Sequence, residues 1–328
     1  MRILHLVSYS IFSGPLPPTL GLALAQKNAG HDVWLAHDQK RGAFNAFEEA
    51  AQAHIDAADI SPPVKLTLSS KSSLLEIFAD RRALKDLCKE HHIDVLHLHM
   101  SHDHILAHFS LRRGLRPLCV RTIHAERTLQ PRFGQRFLNR QADGWIVRTA
   151  EHQVLLRDRF SLDSHRIGQI PGGINHQHFV PVGSDERAKA KSQLGLDPQK
   201  PVLGQVALIH DRGQEELLEA LEKLDNPDLQ ILFVGRGESE DKLKKIINEK
   251  NLDDRVKMAG YIPYRALPEV YAAMDAAFVA QVGNDASGRA ALEAMACALP
   301  TLAIQRGPFY ELVNEARGLP IPDSQPES

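Results

Sequence analysis

Short apolar runs rich in branched residues alternate along this chain with longer segments whose apolar positions recur at helical spacing. In the first half the short runs are RILHLVS, DVWLAH, DVLHLH, LCVRTIH and GWIVRT, with helix-length segments over 17–28 and 72–89 between them. The second half repeats the scheme with PVLGQVAL, LQILFVG, RVKMAG, AAFVAQ and PTLAI, and with helical patterns over 215–224, 241–250 and 287–296. A run too short for a helix, followed by an amphipathic helix and another such run, is a βαβ unit on a parallel sheet. Two such series predict an α/β protein of two Rossmann-like, doubly wound domains. The most polar long stretch, over 179–201, carries proline at both ends and reads as a linker with one exposed helix. It places the boundary near Val182, giving domains 1–182 and 183–328.

Bulk properties narrow the function classes. The chain has 328 residues, 43% hydrophobic and 24% charged, enough for two cores and ordinary for a globular protein. A formal net charge of -2 supplies no global basic field, so nucleic acid is not an expected partner. Cys88, Cys119 and Cys297 show no Cys-x-x-Cys spacing, which predicts reduced thiols and a cytoplasmic location. No segment reaches the roughly 20 apolar residues of a membrane span, so any membrane work is expected from the inner surface.

Open parallel sheets bind ligands beyond the carboxyl ends of their strands, which directs attention to five loops. Gly14 follows the first strand and precedes a helix, where a glycine lets backbone amides approach a phosphate or sugar; a plain turn is the competing reading. The stretch DVLHLHMSHDH brings His97, His99, His102 and His104 close in sequence. Four imidazoles are a conceivable transition-metal set, but no carboxylate or cysteine completes a ligand spacing, so no metal is expected and a polar lining is the preferred reading. His124 ends the strand of RTIH and can project from it. Just beyond, Arg132, Arg136 and Arg140 recur every four residues beside Phe133 and Phe137, a basic face suited to an anionic membrane or phosphorylated acceptor, or simply to water.

The fourth loop holds Arg212 and Gly213 between a strand and a helix, where a cation and free amides suit a diphosphate leaving group. Gly235 and Gly237 form a second glycine-rich strand end, where a close backbone approach is useful. In the fifth, GNDASGRAALEAMACALPT, two acids stand around a small-residue turn. Ser287, Gly288 and Arg289 read as the start of a helix whose first amides bind an anion. Glu293 lies too deep for capping and can accept paired hydroxyl hydrogen bonds, as from a ribose diol, while Asp285 precedes the helix.

These residues resemble a known family. DASGRAALEAMACALPTLA is similar to the E-x7-E signature of the retaining glycosyltransferases of family 4, usually E-G-x-G-x-x-x-x-E-A-M-A-x-G-x-P-V. MRILHLVS, DVLHLH, RTIHAER, ADGWIVRTAEH, IGQIPGGINHQHFVP, LQILFVGRGESEDKLKKI and DRVKMAGYIPYRALPEVYAAMDAAFV follow in that family's order. The resemblance implies a GT-B fold, two Rossmann-like domains facing across a cleft, with a nucleotide-sugar donor held by the C-terminal one. It implies that Glu293 binds the donor ribose and that Asp285 contacts the sugar near the reacting centre. It further implies that the amides of Ser287, Gly288 and Arg289 cradle sugar and distal phosphate, that His124 contacts the donor sugar, and that Gly14 faces donor and acceptor.

Several departures qualify the match. The family's R-x4-K pair has one clear counterpart, Arg212 in place of the Lys; Asp285 is a methylene shorter than the usual Glu; and Ala298 replaces a common glycine, read as a packing change. The family's C-terminal crossover helices have no counterpart before PIPDSQPES. The expected activity is retaining transfer of a sugar to a hydroxyl of a glycan or glycolipid in surface polysaccharide or lipopolysaccharide synthesis, with no cofactor or metal. The alternatives are a degenerate nucleotide- or glycan-binding protein and a nucleotide-sugar epimerase of the same fold.

Overall fold

The computed structural model describes residues 1–10, 14–40, 52–111, 117–124, 126–130, 134–210, 212–224, 226–280, 285–305 and 308–322. The chain divides into two compact units, Met1–Gly172 and Gly173–Ser328. The division thus falls before the boundary that the polar linker suggests at Val182. Ile174, Phe179 and Val182 pack into the core of the second unit, so their apolar side chains assign the start of that stretch to it.

The first unit holds β1 (Arg2–Val7), β2 (Asp32–His37), β3 (Val95–Leu98), β4 (Leu118–Thr122), β5 (Gly144–Val147) and β6 (Ile167–Gln169). They form one sheet in the order β2-β1-β3-β4-β5-β6, with every pair parallel. The helices most relevant to function are α1 (Leu16–Asn28), α2 (Leu74–Glu90), α3 (Ser101–Ser110), α4 (Gln135–Asn139) and α5 (Ala150–Phe160). Prolines 17 and 18 sit in the first turn of α1, where a missing N–H costs nothing. Ser73 and Glu76 close a reciprocal capping box at the start of α2.

Alternation along β1 explains why the sheet is covered on both faces. Leu4 and Leu6 join a core with Leu84, Leu87, Leu96 and Leu98, while Ile3 and Val7 join another with Leu16, Leu20 and Ala23. Each fully buried leucine contributes about 2 kcal/mol of apolar burial, so the near-continuous apolar strands require helices on both sides.

The second unit repeats the plan with β7 (Val202–Val206), β8 (Gln230–Val234), β9 (Val256–Gly260), β10 (Ala276–Val279), β11 (Thr301–Ile304) and β12 (Gly318–Ile321), in the order β12-β11-β10-β7-β8-β9. Its pairs are also all parallel. The helices are α6 (Ser184–Gln193), α7 (Gln214–Lys223), α8 (Glu240–Glu249), α9 (Leu267–Ala272), α10 (Asp285–Ala296) and α11 (Phe309–Leu312). Leu232 and Val234 face one core, and Ile231 and Phe233 the other.

Every strand that the apolar pattern predicts is present. The pattern misses β6 and β12, and for physical reasons. β6 is too short to show alternation, and β12 contains Pro320, which cannot donate to a ladder and is tolerated because β12 is an edge strand. The three cysteines are buried and free. Among the described residues no helix is long and apolar enough to cross a membrane.

Candidate active site

In both sheets the strand order reverses direction at one place, between β1 and β3 in the first unit and between β7 and β10 in the second. Loops leaving adjacent strands there diverge to opposite faces and leave a crevice at the strands' carboxyl ends. Several of the sequence-selected residues lie at these two places.

At the first reversal, Asp103 on α3 ties the strand ends together. Its carboxylate accepts hydrogen bonds from the backbone amides of Ser8 (2.8 Å), His99 (3.1 Å) and Met100 (2.6 Å). Burial pushes its pKa up and these bonds pull it down. Buried Arg121 lies near it, lowered to about 10 by desolvation against the opposing charge of Asp103.

On the face under α1, the imidazoles of His5, His97, His99 and His124 are all buried. Residues of β3 two apart share a face, and His97 stands beside His5 in the parallel register. Thr122 and His124, also two apart, reach back to the same pair. His97 Nε2 lies 2.7 Å from Thr122 Oγ1, and His124 Nε2 lies 2.9 Å from His99 Nδ1. His5 bridges His99 (Nδ1 to Nε2, 3.1 Å) and Gln26 on α1 (Nε2 to Oε1, 2.7 Å). Desolvation lowers His5 to about 4 and holds His97 and His99 well below the ordinary histidine value, so all three are neutral near pH 7.

The sequence groups His97 and His99 with His102 and His104, whereas the fold groups them with His5 and His124. His102 and His104 belong to α3, where His104 packs edge-on to Trp145. The clue to His5 is its place on the alternating pattern of a buried strand. Nitrogens of His5, His97 and His99 lie within 4.8 Å of one another, close enough to suggest a metal. Their rings, however, lie 24° to 33° from parallel at centroid separations of 4.3 to 5.4 Å. His5 Nδ1 and His99 Nε2 face one another at 3.1 Å, and His97 Nε2 faces Thr122, so these nitrogens already have partners within the protein.

Gly14 lies in the turn before α1 with φ of 52°, a left-handed conformation that suits glycine. Arg136 and Arg140 are exposed at α4 with Phe137 beside them, and Arg136 donates to the carbonyl of Arg159. Arg132 and Phe133 lie outside the described residues.

At the second reversal, the loop after β7 carries Arg212 and Gly213. Gly213 caps α7 with φ of 77°, and a Cβ there would come within 2.5 Å of that of Ala280, at the end of β10. The glycine therefore brings this loop against the adjacent strand end. Gln205 donates to the Arg212 carbonyl at 2.8 Å, and Arg212 N–H donates to Gln214 at 2.9 Å, fixing its backbone. Its buried Nε has no hydrogen-bond partner among the described residues.

Gly235 and Gly237 do make close backbone approaches, but to this same loop rather than to open space. A Cβ would meet the Ala207 carbonyl oxygen at 1.8 Å and that of Ile209 at 2.2 Å. The amides of Ala207 and Ile209 pair with the carbonyls of Val234 and Arg236, so the two glycines hold the Arg212 loop in place.

From the end of β10, helix α10 begins at Asp285, earlier than the small-residue pattern suggests. Arg289 consequently stands beyond the first turn, so its amide is committed to the helix and its guanidinium is what it offers. The side chains of Asp285 and Ser287 lie outside the described residues. Gly288 is buried.

Glu293 is 3% exposed, and its Oε2 accepts the Tyr271 hydroxyl at 3.0 Å. Its Oε1 lies 3.3 Å from Arg289 Nε, an ion pair that is not a hydrogen bond. Among the described residues, Oε1, and Nε and Nη1 of Arg289, thus have no hydrogen-bond partner. Burial raises the Glu293 pKa, with Arg289 and Tyr271 opposing. His178, 3.2 Å from the Tyr264 carbonyl, adds a further opposing charge effect on Glu293. Tyr271 and His178 are missed by the sequence reading; Tyr271, in EVYAAMD, looks like a core aromatic.

Ala298 is not a packing change. It has φ of 57° just past α10, where the Ala298 and Leu299 amides close back on the carbonyls of Met295 and Ala294. This is a Schellman turn, whose left-handed residue is usually glycine.

Residues 19–178 match the family model described as Glycosyltransferase Family 4, and residues 186–328 match Glycosyl transferases group 1. A GDP-mannose-dependent monoacylated alpha-(1-6)-phosphatidylinositol monomannoside mannosyltransferase from Corynebacterium glutamicum is 29% identical over 52% of this chain and 47% of its own length. A lipopolysaccharide core biosynthesis mannosyltransferase from Rhizobium meliloti is 32% identical over 45% of this chain and 44% of its own. The chain spans about half the length of the curated relatives it matches. Among solved structures, a glycosyltransferase from Rickettsia africae aligns over 99% of this chain and 85% of its own with TM-score 0.79 at 17% identity. Anabaena HepE in complex with UDP and glucose aligns over 98% of this chain and 86% of its own with TM-score 0.76 at 18% identity. These likenesses identify the fold as GT-B, and the two models between them take in most of the sequence: the chain belongs to the glycosyltransferases of family 4.

Proposed function

We propose that this chain transfers a sugar from a nucleoside diphosphate sugar to a hydroxyl of a glycan or glycolipid, with retention of anomeric configuration. The observation that carries this reading is the buried, hydrogen-bond-deficient Oε1 of Glu293 at the strand reversal of the second unit. A buried carboxylate oxygen without a donor costs about 1–3 kcal/mol or more unless a ligand supplies one, and the paired hydroxyls of a ribose are suitable donors. Arg212 and the free amides at the start of α10 are cationic or dipolar partners for a diphosphate at the adjoining strand end.

In the proposed reaction the acceptor hydroxyl attacks from the face from which the nucleoside diphosphate departs. The departing phosphate takes the acceptor proton, so no enzyme nucleophile is required. Arg212 and the helix amides stabilise the growing leaving-group charge, supplying what a divalent metal supplies elsewhere. His124 and Asp285 contact the transferred sugar, and Gly14 faces donor and acceptor. A glycolipid acceptor is supported by the names of the Corynebacterium and Rhizobium relatives. The exposed Arg136, Phe137 and Arg140 are suited to an anionic glycolipid surface in lipopolysaccharide or polysaccharide synthesis.

The test is thermal stabilisation of the chain by a panel of nucleoside diphosphates and their sugars, repeated on Glu293→Ala and Arg212→Ala. Stabilisation by one base, lost in Glu293→Ala and reduced in Arg212→Ala, is the expected result. Transfer from the selected donor should give a retained anomeric configuration by NMR and persist in chelator. Absence of stabilisation across the panel, or chelator-sensitive activity restored by a divalent cation, overturns the respective part.

A further inference from the structure

The imidazole cluster of the first unit has a direction. Gln26 presents Oε1, which can only accept, to His5 Nε2 at 2.7 Å, so the proton of neutral His5 is on Nε2. Its Nδ1 is then bare and accepts from His99 Nε2–H at 3.1 Å. His99 Nδ1 is bare in turn and needs a donor. Among the described residues two groups lie within reach: Thr19 Oγ1 at 3.1 Å and His124 Nε2 at 2.9 Å. The single hydroxyl hydrogen of Thr19 goes to the Pro15 carbonyl at 2.7 Å, which leaves His124 Nε2–H as the donor. A histidine's tautomer is set by the partner of one ring nitrogen, and here each ring passes that choice to the next.

We propose that Gln26, His5 and His99 are positioning residues for His124, their hydrogen-bond relay orienting its ring and fixing a proton on Nε2. Burial supports the relay, because desolvation keeps His5 and His99 neutral, and a neutral imidazole has one donor and one acceptor. The catalytic consequence rests on the reading that His124 contacts the donor sugar: the relay holds in place the ring that makes that contact. The tautomer assignment itself does not depend on that reading.

The experiment is long-range proton–nitrogen NMR of the full chain labelled with nitrogen-15 in histidine, near pH 7.5. Wild type, Gln26→Glu and Gln26→Leu are compared, and His124 is assigned by His124→Asn. Gln26 is only partly buried on α1, so these variants spare the core. In wild type the expected state of His124 is Nε2–H. Gln26→Glu, whose carboxylate only accepts, keeps that state. Gln26→Leu removes the anchor and gives a mixture of tautomers, with kcat for sugar transfer down about tenfold and KM for the donor little changed, the size expected for one lost hydrogen bond.

An Nδ1–H tautomer in wild type overturns the relay, and so does an unchanged His124 tautomer in Gln26→Leu. A metal held by the stacked rings, seen as His5 and His99 nitrogen shifts moving on addition of zinc at one equivalent, overturns it as well. Failure of wild type to transfer sugar from any donor removes the catalytic consequence while leaving the nitrogen spectra to decide the relay.

Discussion

The two strand reversals of this protein solve opposite problems with the same topology. On the α1 side of the first reversal the polar groups are buried imidazoles joined to one another, to Gln26 and to Thr122. In the second they are a carboxylate and two guanidinium groups, with nitrogen and oxygen atoms buried and lacking partners. A network closed on itself holds a geometry, whereas buried charges with spare valences prepare for a ligand that will fill them. The comparison teaches that burial of polar groups alone does not mark a binding site; the state of their hydrogen bonds does.

Acid should break the first region with the largest effect. Both tryptophans, Trp34 and Trp145, lie in the first unit, so their fluorescence follows its unfolding. The folded pKa of His5 is lowered from 6.5 to about 4, so the unfolded chain binds the extra proton in that window. The stability is fully present above pH 6.5 and is lost as pH falls through the folded value near 4. For His5 this amounts to about 3 kcal/mol, with His97 and His99 acting in the same direction. Denaturant titrations followed by fluorescence at a series of pH values should show this loss, and His5→Phe should shrink it. A flat profile would mean that these rings are solvated.

A smaller effect sharpens the second region. Tyr271→Phe deletes the hydroxyl that donates to Glu293, and nucleotide affinity measured by calorimetry should fall about tenfold, as for one hydrogen bond to a charged group. Unchanged affinity would show that Arg289 and the helix alone hold the carboxylate.

The smallest expected change leaves both regions intact. Ala298→Gly relieves a left-handed alanine and should stabilise the chain by about 1 kcal/mol in thermal unfolding, with nucleotide affinity unchanged. Destabilisation would mean that the Ala298 methyl is packed to more advantage than its backbone is strained.

Much of this was legible in order of residues. Apolar runs over Arg2–Val7 or Gln230–Val234 fix strands because both faces must be buried, and the alternation with helices forces them parallel. Glu293 and Arg212 could be selected because a carboxylate two turns into a helix is too deep to cap it, and a cation at a strand–helix junction suits a diphosphate. Short β6 and proline-bearing β12 carry too weak a local signal, since their pairing comes entirely from a neighbouring strand.

What the sequence by itself determined is therefore the periodic part: strand and helix types, two α/β units and the acids and cations at strand ends. Tertiary structure alone decided which of those groups meet. It placed His5 beside residues some ninety positions away, set Tyr271 on Glu293, and spent Gly235 and Gly237 on bracing the Arg212 loop. The physical reason is that periodicity is a property of neighbours along the chain, whereas a hydrogen bond between distant side chains depends on strand order and register. Those are set by packing of the whole sheet.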